Sequence, residues 1–155
     1  MSESAEKIFK FEKDFQDSLR CIPMAVRMAL DLSGIKLSLK EWLRLSEEER
    51  QEILRLPCDS QAAIDIFFKK VQGWVRAKTG GVPETMPPVT QAPWQDTSQV
   101  PTDLIRQASE SGLQVPLERW ASLSDLQRFA LIKLSRPHHR SVNFLPAMQE
   151  FGLCA

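Results

Sequence analysis

The sequence predicts an all-α, predominantly helical fold, and three observations predict it. Apolar residues recur at helical rather than alternating spacing along the 155 residues. Ser-x-x-Glu/Gln capping boxes stand directly before several of those stretches. A helix-punctuated segment also returns 78 positions later. Pro23, Ser33, Gly34, Leu39, Trp42, Leu45, Ser46, Arg50 and Leu56 fall on Pro101, Ser111, Gly112, Leu117, Trp120, Leu123, Ser124, Arg128 and Leu134, nine identities over 36 ungapped positions. The expectation is a single domain, 1–155, built from two divergent helical repeats, 22–57 and 100–135, with a Pro-rich connector, 79–99.

Each element has its own justification. Ile8-Phe9-Lys10-Phe11 is open between two readings, since 9 and 11 alternate as in a short N-terminal strand while 8, 11, 15 and 19 follow a helical stripe. Pro23 suits a first helical position and Gly34 the left-handed residue past a helix end. Ser38-Leu-Lys-Glu41 opens a short helix carrying Trp42, and Ser46-Glu-Glu-Glu49 opens a second full one. Ser60 to Lys78, with Ile64, Phe67, Phe68, Val71, Trp74 and Val75, reads as an amphipathic helix that Gly80-Gly81 ends. Four prolines between Thr79 and Gln99 forbid regular structure there, and Trp94 pins the segment to the body. Pro101, Gly112, Pro116, Trp120 and Ser124-Asp-Leu-Gln127 restate the first unit's punctuation. Asn143 caps a last helix, Phe144 to Phe151, that Gly152 stops. Pro23, Gly34, Trp42, Pro101, Gly112 and Trp120 are therefore read as structural.

The two copies differ in how much they bury. Glu48, Gln51 and Glu52 in copy one face Leu126, Phe129 and Ala130 in copy two. The second copy's helix thus needs the wider buried face, and the expectation is asymmetric packing of the copies with Leu126 to Leu134 central and the Glu47 to Glu52 face in solvent.

Composition narrows the function. Twenty basic residues balance twenty acidic ones, 13 against 13 up to Ala77 and 7 against 7 beyond it, so no basic domain offers a nucleic-acid footprint. The charged N-terminus is no secretory signal and no apolar run approaches the roughly 20 residues that span a bilayer. Cys21, Cys58 and Cys154 are odd in number and widely spaced, which suits free thiols in a reducing compartment. A cytoplasmic protein follows, with no nucleic acid and no membrane as partner.

The chemistry-bearing motifs are few. The chain has no phosphate-binding loop, no CxxC pair, no nucleophile elbow and no dinucleotide fingerprint, so no catalytic residue is assigned and no enzyme is expected. Cys21, Cys58 and His139 are candidate metal ligands by type, but they lack the paired spacing of zinc sites, and neither a metal nor another cofactor is expected. One local charge excess stands out. Lys133, Arg136, His138, His139 and Arg140 lie in a stretch with no acid between Asp125 and Glu150 and are the candidate partner- or anion-binding residues. Guanidinium forks there suit carboxylates or phosphates, and basic residues also complement a helix C-terminus.

Two blocks of sequence carry a resemblance. Phe11-Glu-Lys-Asp-Phe15-Gln-Asp-Ser-Leu-Arg-Cys21-Ile-Pro-Met24, then Gly34-Ile-Lys-Leu37, Trp42 and Pro57-Cys58, form the first. Gln127-Arg-Phe-Ala-Leu-Ile-Lys-Leu-Ser-Arg-Pro137, with Asn143-Phe144 and Glu150-Phe-Gly-Leu153, forms the second. Together they resemble the nitrate reductase-associated protein family, from about Phe9 to Leu153. His138 departs from the family pattern, taking the place of a Gly before the His at 139, so no role of the His pair is carried over. The resemblance implies a non-catalytic accessory protein for assimilatory nitrate reductase. Its partner would be that enzyme or its cofactor-loading intermediate, and its task maturation, assembly or molybdenum-cofactor loading. Lys133, Arg136 and Arg140 would meet an acidic surface or the cofactor's phosphates, with Cys21 and Cys58 packed near them. The alternatives are a general helical adaptor unrelated to nitrate and a small Cys/His metal or redox protein.

Overall fold

A computed structural model describes residues 8–15, 19–137 and 141–154. Its elements are a 3-10 helix, Lys10–Phe15; α1, Met24–Ser33; β1, Ile35–Lys36; α2, Leu39–Arg44; α3, Glu47–Arg55; α4, Gln61–Thr79; β2, Glu84–Thr85; a second 3-10 turn, Pro93–Gln95; α5, Thr102–Glu110; α6, Leu117–Ser122; α7, Asp125–Leu134; and α8, Phe144–Glu150. The fold is predominantly helical, as the apolar spacing predicts. The chain forms two compact units, Met1–Thr90 and Gln91–Ala155.

In the first unit, α4 buries Ala63, Phe67, Val71 and Val75, a stripe at four-residue spacing, and the last three join a core with Val26, Leu30, Trp42 and Ile53. Each fully buried Phe, Leu or Val contributes about 1.5–3 kcal/mol through apolar area removed from water. Ser60 accepts from the Ala63 N–H at the start of α4, and Gly80 at φ +82 ends it. The boxes at Ser38/Glu41 and Ser46/Glu49 are both complete, the hydroxyl accepting from the third residue and the carboxylate from the Ser N–H. Gly34 takes φ +77 between α1 and β1, as its position predicts. There the chain also passes tightly under Met86 and Pro88, for a Cβ on Gly34 would lie 2.4 Å from the Met86 carbonyl oxygen.

The second unit centres on α7. Phe129, Ala130, Leu131 and Leu134 are buried on it, with Leu104, Trp120, Phe144 and Met148 from α5, α6 and α8. Ser124 and Gln127 complete a third capping box. The expected contrast in burial holds, since Glu47, Glu48 and Glu52 are exposed while Leu126 is half-buried and Phe129 fully buried. Each unit holds a helix, a left-handed glycine, a short helix with a buried tryptophan and a boxed helix in that order, with β1 after the glycine in the first unit alone.

Four expectations need correction. No N-terminal strand forms among the described residues. Glu12 is buried and its carboxylate accepts from the N–H groups of Phe9 and Met24 at 3.2 and 3.0 Å, which winds residues 9–12 into a turn. The connector is not devoid of regular structure, because Glu84–Thr85 pairs antiparallel with Ile35–Lys36 and Pro93–Gln95 forms a turn. Pro83 and Pro87 bracket that strand, so the missing proline N–H groups limit its length. Pro23 and Pro101 stand one residue outside their helices, as N-caps. Asn143 precedes α8 without a side-chain cap; its backbone carbonyl accepts from Ala147 and Ser141 Oγ accepts the Asn143 N–H.

Candidate functional site

Each unit uses a tryptophan and an arginine to hold a backbone segment that lies earlier in the chain. In the first, Trp42 Nε1 donates to the Leu19 carbonyl at 2.7 Å and Arg50 Nη1 donates to the same oxygen at 3.0 Å. Leu19 itself is buried at φ +53, a conformation that costs a leucine energy unless its surroundings over-determine it. In the second unit, Trp120 Nε1 donates to the Asp96 carbonyl at 2.9 Å. Arg128 Nε donates to the Trp94 carbonyl at 2.6 Å, while its Nη1 reaches the carbonyls of Trp120, Ala121 and Leu123. Its Nη2 bonds Asp125 Oδ1 at 2.5 Å. Arg128 is only 5% exposed, so this guanidinium is a structural tie, with its fork satisfied by carbonyls. Both tryptophans are core residues, as expected. The matched pair Arg50 and Arg128 is the signal that announces the ties, though sequence alone left it an identity without a role.

The basic stretch begins where α7 ends. Trp94 packs edge-on against Phe129 with centroids 4.9 Å apart, so it pins the connector's end to the second unit. The Lys133 ammonium stands 5.1 Å from the centre of the same Phe129 ring and is half-buried. Arg136 follows the helix and is exposed, where its planar fork of donors can meet a carboxylate or phosphate from outside. His138, His139 and Arg140 lie outside the described residues. The structure therefore divides the predicted run: Lys133 is engaged with the core's aromatic rim, and Arg136 faces solvent.

Cys21 and Cys58 belong to the other unit, and Cys154 to the same unit as the basic stretch. Cys21 and Cys58 are partly exposed and in no disulfide, with Cys58 packed against the core of α1 to α4. Among the described residues no group of three His, Cys, Asp or Glu side chains is placed to hold a metal ion. No helix among them is long and apolar enough to cross a membrane.

Electrostatic tuning appears at two carboxylates, both in local caps. Burial raises the Glu49 pKa, but hydrogen bonds from the Ser46 backbone and hydroxyl, with Lys78 Nζ at 3.4 Å, outweigh it and hold the group below its ordinary value. Asp96 is lowered by hydrogen bonds from the Ser98 hydroxyl and N–H. Both are engaged by neighbours within their own unit, so both are read as structural.

Compared with known proteins, residues 8–151 match the family described as conserved nitrate reductase-associated protein. Comparisons with curated proteins and with solved structures each found no match.

Proposed function

We propose, because the chain belongs to the conserved nitrate reductase-associated protein family, that it is a non-catalytic accessory protein which binds assimilatory nitrate reductase or its cofactor-loading intermediate. Its task is to assist maturation, assembly or molybdenum-cofactor loading through protein–protein contact. The family match over 8–151 carries this reading. The exposed Arg136 at the end of α7 supports it, as a donor fork that a partner's carboxylates or a cofactor's phosphates can take. Arg140 and Lys133 extend the same charge along the sequence.

Replacing Arg136 and Arg140 by Ala and measuring co-purification with the reductase tests the contact. The expected result is weakened recovery of the reductase from a chain whose circular dichroism and melting temperature are unchanged. Recovery equal to wild type removes the basic stretch from the interface. Wild-type chain that recovers other proteins and no reductase favours the general adaptor instead.

A further inference from the structure

The longest helix turns a charged face outward that none of the preceding roles uses. Along α4, Ile66, Lys69, Lys70, Gly73, Arg76 and Ala77 are all exposed; their spacing places Ile66, Lys69, Gly73 and Arg76 on the side opposite the buried Ala63, Phe67, Val71 and Val75, with Lys70 and Ala77 on its flanks. Ile66 is 51% exposed. Asp65, at the edge, is tied to Gln61 by a 2.9 Å hydrogen bond. Among the described residues no carboxylate pairs with Lys69, Lys70 or Arg76, although Lys78, one turn on, is paired with Glu49.

We propose that this face of α4 is a docking surface for an acidic, amphipathic helix of the reductase or its assembly intermediate; this rests on the reading of the chain as a reductase-binding accessory protein. Three cations with no partner among the described residues fit a segment rich in Glu and Asp, in a chain whose basic and acidic residues balance overall. The apolar Ile66 gives such a helix an anchor that a phosphate backbone has no use for. Gly73 lies mid-helix, where glycine is a poor helix former, and a Cβ there would meet nothing within 4 Å. Internal packing therefore does not require the glycine, and its small surface leaves room for a second helix to approach between the cations.

The test uses the full chain, purified nitrate reductase and two variants, Gly73→Leu and Lys69→Glu/Lys70→Glu/Arg76→Glu, each checked for helicity. Both variants are expected to weaken reductase binding at least tenfold, and the charge variant to lose the salt dependence as well. Reductase binding at wild-type strength in both variants overturns the docking face while leaving the accessory reading intact. If wild-type chain does not bind the reductase, that reading fails, and an acidic amphipathic helical peptide of Glu and Leu then decides the face. Amide shifts at Ile66, Lys70, Gly73 and Ala77 that vanish in Gly73→Leu support the surface, and their absence overturns it. Binding of phosphatidylserine vesicles that the charge variant loses and Gly73→Leu retains also overturns it, because the face would then be reading phosphate charge alone.

Discussion

Trp42 places its indole N–H 2.7 Å from the Leu19 carbonyl, tying a buried, left-handed leucine to the second helix of its unit. Trp94, equally enclosed in the other unit, has a buried Nε1 with no acceptor among the described residues. The same substitution should therefore cost different amounts. Trp42→Phe loses a hydrogen bond and leaves the Leu19 carbonyl to Arg50, whereas Trp94→Phe loses only volume. Urea unfolding should show Trp42→Phe less stable than Trp94→Phe by about 1 kcal/mol.

Arg128 and Arg50 occupy equivalent sequence positions in unequal surroundings. Arg128→Met strands the carbonyls of Trp94 and Leu123 in a buried site and should cost about 2–4 kcal/mol. Arg50, half-buried, shares its acceptor with Trp42, so Arg50→Met should cost about 1 kcal/mol. Arg128→Lys should not rescue stability, because an ammonium cannot reproduce the planar fork. Chemical denaturation of the three variants checks the order.

Gly34 and Gly112 both adopt positive φ, +77 and +73. Only Gly34 lies against other backbone, with the Met86 oxygen 2.4 Å from where a Cβ would sit, whereas nothing stands within 4 Å at Gly112. Gly112→Ala should cost about 1 kcal/mol for the left-handed backbone alone. Gly34→Ala should cost more than about 2 kcal/mol, since the 86–88 segment must move as well. Thermal melts of the two variants make the comparison.

The Glu49 carboxyl lies below its ordinary value in the folded chain. Its contribution is therefore complete above the unfolded value and is lost as pH falls through the folded one. Glu49→Gln should flatten the acid side of the stability profile. Ser46→Ala removes the hydroxyl half of the box, costing about 1 kcal/mol at neutral pH, and lets the Glu49 pKa rise. Carboxyl titration by NMR with melts from neutral to acid pH measures both.

Local chemistry made much of the fold legible. Three capping boxes, the left-handed glycines and the α4 stripe are contained within a few residues, so sequence specifies them. The segment Lys10–Phe15 stayed open between strand and helix because its determinant, Glu12, acts on Met24, twelve positions away. The two-residue strands carry too little pattern to read, and Arg128 looks like any charged helical residue until its carbonyl partners converge on it. For the candidate site, sequence located the basic run by charge. It could not separate Lys133, set against Phe129 in the last turn of α7, from exposed Arg136 just past it, because both carry charge at the same helix end. The outer face of α4 escaped notice because its cations are spread over eight residues and cancel in the overall balance.

The proposed role is support of nitrate reductase. Deleting its gene and measuring reductase activity, reductase protein and reductase molybdenum content in the same cells tests this most directly. The expected result is lost activity, with normal protein and low molybdenum if the chain supports cofactor loading, or with lost protein if it supports assembly. Activity, protein and molybdenum all unchanged would rule out that role.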